Sequence, residues 1–170
     1  MSAVLSMYEA SVPVFLRALS NLRHSLAKGE AHALAQGYEP AVLLESRLYP
    51  DMLPLVRQVQ IAADTAKFAP ARLAGVESPR FEDVESTFAE LYARLDAVSD
   101  YLRTFDEAAL EGSEARTVTL STRTRGDMTF DGRSYLFGFA LPNLFFHVAT
   151  SHAILRHNGV PLGKRDYLGE

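Results

Sequence analysis

The sequence predicts an all-α fold: a four-helix bundle with one small β-hairpin inserted before the last helix. Three observations carry this. Four stretches repeat apolar residues every three or four positions, as a helix with one buried face requires. Glycine and proline punctuate those stretches where helices start and stop. One segment alone, "RTVTLSTRTRGDMTFDG" at 116–132, changes from helical to alternating period.

The first helix sets Leu5, Tyr8, Val12, Phe15, Leu19, Leu22 and Leu26 on one face. Pro13 should kink it or mark a new start. "EAHALAQ", between Gly29 and Gly37, extends it, and "EPAVLLESRL" reads as a brief helix in the connection. The second long helix is expected from about Asp51 to Leu73, with Pro54 in its opening turn and Pro70 and Gly75 ending it. Its stripe is Leu55, Val59, Ala62, Ala66, Ala69 and Leu73, and the alanines admit a close neighbour.

Thr87 and Glu90 have the spacing of a capping box and open the third helix, whose stripe runs through Phe88, Leu91, Leu95, Val98, Leu102 and Phe105. Residues 117–122 should pair with 127–131 across Gly126 as a hairpin. The last helix is expected from about Ser134 to Asn158, kinked near Pro142 and stopped by Asn158-Gly159 and Pro161. Phe137, Phe139, Phe145 and Phe146 are expected in the core.

A chain of 170 residues fits one domain, 1–170, with a substantial core. Hydrophobic residues make up 48% and charged residues 22%, which suits a globular chain and excludes a disordered one. The 17 basic and 21 acidic residues are dispersed, so no nucleic-acid-binding face is indicated. No apolar run reaches membrane-spanning length. "MSAVLSMYEAS" has no basic leader and carries Glu9 early, so no secretory signal is expected, and a cytoplasmic location is. The absence of cysteine excludes disulfides, thiolate metal sites and cysteine nucleophiles.

Functional chemistry concentrates in "PNLFFHVATSHAILRHNG", where His147, His152 and His157 recur. Each helical residue turns by about 100°, so five-residue steps turn the side chain by about 140° and the three imidazoles diverge. No metal site is expected from them. Asn143, His147 and Ser151, spaced by four, do share a face. A polar line on so apolar a helix, if buried, is either hydrogen-bonded across the bundle or open to a ligand. Gln58 and Gln60 on the second helix are the possible partners, with Arg57 and Asp64 nearby, although glutamines at a helix edge are usually solvated. His24 and His32 read as surface residues. There is no phosphate loop, nucleophile elbow or H-E-x-x-H motif.

"LSMYEASVPVFLRALSNL", "PDMLPLVRQVQIAADTAKFAPARLAG", "FEDVESTFAEL" and "FALPNLFFHVATSHAILRHNGVPLGKRDYLG" resemble a bacterial and fungal domain-of-unknown-function family of the DinB-like (damage-inducible) superfamily. The resemblance covers almost the whole chain. It implies an up-down-down-up bundle and a homodimer, which the abundance of apolar residues supports. Many relatives in the superfamily hold a divalent metal through three histidines, and some use it in thiol-dependent transfer. Registered on "LRHNG", His147 falls on the second histidine of the superfamily's H-x-x-x-H pair. Asn143 takes the place of the first, and Gln58 or Gln60 the place of the one on the second helix. Carboxamides are weak, neutral ligands, so the cofactor is left unknown.

The expected function is small-molecule binding in a polar, metal-free pocket between the second and fourth helices, lined by Gln58, Gln60, Asn143, His147 and Ser151. The alternatives are a thiol-dependent transferase or hydrolase in which His147 is the catalytic base, with or without a divalent metal, and a structural or regulatory dimer without ligand.

Overall fold

The computed structural model describes residues 5–122 and 126–169. The chain start at 1–4, which the leader reading used, and the hairpin tip at 123–125 lie outside the described residues. The protein is mostly helical with one two-stranded antiparallel sheet.

Helix α1 spans Val12–Gln36. Pro13 sits in its first turn and marks a new start, because its missing N–H is one that would have no partner within the helix. Leu5 precedes the helix and is exposed, so the expected stripe begins at Val12. The short α2, Ala41–Leu44, follows the left-handed glycine cap at Gly37. Helix α3, Leu55–Ala74, carries Pro70 inside its last turns and stops only at Gly75, so Pro70 does not end it. A proline near a C-terminus forfeits one ladder bond, and here the left-handed Gly75 closes the helix with its N–H on Arg72 O at 3.2 Å.

Helix α4, Phe88–Leu102, begins with the full capping box: Glu90 N–H donates to Thr87 Oγ1 at 3.2 Å and Thr87 N–H to Glu90 Oε2 at 2.9 Å. Strands β1, Thr117–Thr122, and β2, Gly126–Asp131, pair antiparallel from Thr117 opposite Asp131 to Thr122 opposite Gly126. Val118 and Leu120 are the inward side chains of β1.

The last helical run has three parts: α5 (Gly132–Tyr135), a π turn (Leu136–Ala140) and α6 (Leu141–His157). Pro142 lacks the N–H that would reach the Gly138 carbonyl in an α turn, and the backbone widens to π spacing just before it. Gly132 packs so tightly that a Cβ there would collide with the Ser113 carbonyl, which fixes the hairpin's exit against the short turn at Ser113–Ala115. A final turn, α7 (Lys164–Leu168), folds back on α1, where Arg17 holds Leu168 O and Asn21 holds Tyr167 O.

The packing partner of α6 is chiefly α3, which also packs on α4, while α1 packs on both α4 and α6. The core they enclose includes Phe15, Leu22, Val59, Ala62, Leu91, Leu95, Leu144 and Ile154, each at most 1% exposed. The aromatic expectation fails in part. Phe139 packs against the core, but Phe137, Phe145 and Phe146 are 46%, 39% and 58% exposed. A helix so rich in aromatics has more of them than one face can hold.

Candidate functional site

The α3–α6 contact places two polar pairs inside an otherwise apolar seam. On α3, Gln58 is buried although glutamine is normally a surface residue. Its amide Nε2 donates to the Leu53 carbonyl at 3.1 Å, in the segment just before the helix. That bond orients the carboxamide, so Oε1 points at α6, where it meets His147 Nδ1 at 2.7 Å. An amide oxygen only accepts, so Nδ1 must carry the proton and Nε2 must carry the lone pair. The Leu53 carbonyl thereby selects the histidine tautomer through Gln58.

Burial pushes the His147 pKa down from 6.5 to about 4, and no charged neighbour opposes it. The imidazole is therefore neutral at pH 7. The Phe146 ring stands edge-on to it with centroids 5.1 Å apart. The described residues give Nε2 no hydrogen-bond partner, yet it is not among the sealed polar atoms left without one. A residue that is 8% exposed thus keeps this nitrogen open to the outside.

One turn earlier, Asn143 Nδ2 donates to Thr65 Oγ1 at 2.8 Å, and Thr65 in turn donates to Ile61 O at 2.7 Å. Ser151, fully buried, spends its hydroxyl on the His147 carbonyl at 2.8 Å, within its own helix. Of the five residues expected in the site, the structure brings Gln58 and His147 into contact and sets Asn143 one turn away, against Thr65 of α3. Ser151 adds no free polar group. Gln60 faces elsewhere. The two cavities described lie away from the seam where the pocket is expected.

Gln60 belongs to a second polar centre, which the sequence reasoning missed. It accepts from Arg57 and donates to Glu85 Oε2 at 2.7 Å. Arg94, from α4, is 4% exposed and bonds Glu85 Oε1 at 2.9 Å and Glu82 O at 3.1 Å. Its Nη2 faces Asp64 Oδ1 and Asp83 Oδ1, each at 3.0 Å, as ion pairs outside hydrogen-bond alignment. Lys67, 2% exposed, meets Asp64 at 2.9 Å and lies over the Phe68 and Phe81 rings at 4.2 and 4.9 Å. Burial acts to lower the Arg94 pKa, but the Glu85 bond and the charges of Asp64, Glu85 and Asp83 outweigh it and raise it. Burial acts to raise the Asp83 pKa, and its bond to Arg57 with the charges of Arg57 and Arg94 lowers it. Three cations, Arg57, Lys67 and Arg94, thus balance three anions, Asp64, Asp83 and Glu85. The signal was present in the pattern: Lys67 interrupts the alanine stripe, and Arg94 sits beside Leu91 and Leu95.

The three histidines of the last helix separate as their spacing requires. His147 is buried, His152 is partly buried with its ring edge-on to Tyr167, and His157 is exposed. His24 is exposed and pairs with Asp166 at 3.0 Å. His32 is only partly exposed and packs edge-on to Tyr38. Among the described residues no three of His, Cys, Asp and Glu gather as metal ligands. The superfamily's three-histidine centre does not fit this donor set. His147 is its one imidazole, and the Gln58 oxygen that would have to bind is committed to the His147 Nδ1–H.

The class of protein is that of a mostly helical fold with a small antiparallel hairpin before the last helix. The chain belongs to the family described as domain of unknown function DUF1993, whose model matches residues 7–168. A solved structure of a DinB family member from Shewanella denitrificans is 41% identical, with a TM-score of 0.90 over 96% of this chain and 92% of that one. No curated protein matches.

Proposed function

We propose that this DinB-like chain is a one-domain, up-down-down-up four-helix bundle that works as a homodimer and binds a small molecule at His147. The observation that carries the reading is the Leu53–Gln58–His147 relay. A buried structural histidine needs no fixed tautomer with an open Nε2, whereas a ligand that donates a hydrogen bond does. An imidazole only 8% exposed, with the Phe146 ring edge-on to it, favours a compact neutral donor, such as an alcohol, amide or thiol, with an apolar part against the ring.

The low His147 pKa favours binding over the alternative reading as catalytic base of a thiol-dependent transferase or hydrolase. A base whose conjugate acid has a pKa of about 4 takes little proton from a thiol at pH 7. A thermal-shift screen of small alcohols, amides and thiols tests the reading. The expected result is a stabilising compound whose effect disappears in His147→Ala. Stabilisation that survives His147→Ala, or none across the screen, would refute it.

A further inference from the structure

Between Arg133 and Arg156 the chain has no Asp, Glu, Lys or Arg, although these residues build an outer helix. A helix that is apolar all round is normally covered on all sides. Here α3 and α1 cover only the inner side. Gly138, Pro142, Phe145 and Ala149, spaced by three or four, form the bare outer stripe, with Phe146 at its margin.

We propose that this outer face is where two copies of the chain meet, an inference that rests on the homodimer reading above. Three properties favour a second copy as the occupant. The first is area. Phe137, Phe145, Phe146 and Tyr49 are 46%, 39%, 58% and 65% exposed. At about 200 Å² per ring they leave roughly 400 Å² bare on each copy. With the 44% exposed Leu53, a face-to-face pair would cover about 1,000 Å², where specific interfaces begin.

The second property is continuity. Phe146 packs on His147, His147 bonds Gln58, and Gln58 bonds the Leu53 carbonyl. The loop carrying Tyr49 is pinched shut by Leu55 N–H on Ser46 O at 2.9 Å. The loop before α3, with Tyr49 and Leu53, therefore borders the helix face. The third is self-complementarity. Apart from Arg47 and Asp51 in that loop the face is uncharged, so the helix stripe meets its own copy across a two-fold axis with no like charges opposed. Gly138 adds a notch, since nothing lies within 4 Å of where its Cβ would stand.

Light scattering on the full chain, from micromolar concentration upward, tests this together with Phe145→Asp, Phe146→Asp and the control Leu34→Asp. Leu34 is 64% exposed on α1, away from the face. Wild type and Leu34→Asp should be dimers. Each Phe→Asp variant should raise the dissociation constant at least about tenfold while keeping its helical circular dichroism. A wild-type monomer at every concentration overturns the dimer reading and this inference together. A dimer that persists in both Phe→Asp variants overturns only the placement. A wild-type monomer that sediments with phosphatidylcholine vesicles would assign the face to a lipid surface and also overturn the inference.

Discussion

Gln58 and His147 show how one backbone carbonyl reaches a side chain on another helix. The low His147 pKa gives this pair a pH signature. The imidazole titrates near 6.5 when unfolded and at about 4 when folded, so between these values the unfolded chain binds the extra proton. The stabilisation is complete above pH 6.5, falls as pH drops towards 4 and is lost below. Its full size is on the order of 3 kcal/mol. Urea unfolding of wild type and His147→Gln at pH 7 and pH 4.5 checks this. The stability gap between them should narrow at the lower pH, and a gap independent of pH would refute the assignment. The divergence of His147, His152 and His157 was legible from spacing alone. The burial of Gln58 was not, because a polar residue buried to bond another side chain looks like a solvated one until its partner is in place.

Among the elements, the caps were the most legible features. Thr87 with Glu90, Gly75 and Asn158-Gly159 set helix ends through local bonds that need no tertiary partner. The two hairpin strands were equally legible, although Gly126, expected in the turn, opens β2 and pairs with Thr122. Prolines were misread where position decides their effect: Pro13 opens a helix and Pro70 rides inside one. The aromatic rings of the last helix were misplaced because hydrophobicity alone does not say which rings a neighbour covers.

The ion cluster was hidden because two of its anions, Asp83 and Glu85, and the Glu82 carbonyl that also meets Arg94 come from the connection between α3 and α4. This cluster should hold that connection against both helices. Arg94→Ala leaves Asp64, Asp83 and Glu85 short of their shared cation and should cost roughly 3–5 kcal/mol. Denaturant unfolding checks this, and a loss below about 1 kcal/mol would mean the charges are solvated rather than buried together.

For the whole molecule, self-association links stability to concentration. If two copies meet through the last helix, the wild-type Tm should rise as protein concentration rises, while that of Phe146→Asp stays flat. Calorimetry at two concentrations reads this directly, and a concentration-independent wild-type Tm would count against a dimer.

The π turn at Leu136–Ala140 has a consequence for how the chain tolerates length changes. It holds more backbone than an α turn in the same stretch. Each helical residue rotates its neighbours along the chain by about 100° around the axis. Gly138, whose Cβ position touches nothing, then matters less as a residue than as a spacer. Removing it would let the run relax to α spacing with α5, and the hairpin behind it, still nearly in phase with the His147 seam, because a π turn is an α turn that carries one residue extra. A second deletion would have no surplus to draw on and would swing the hairpin by about 100°, so the π turn is one residue of slack between the hairpin and the seam.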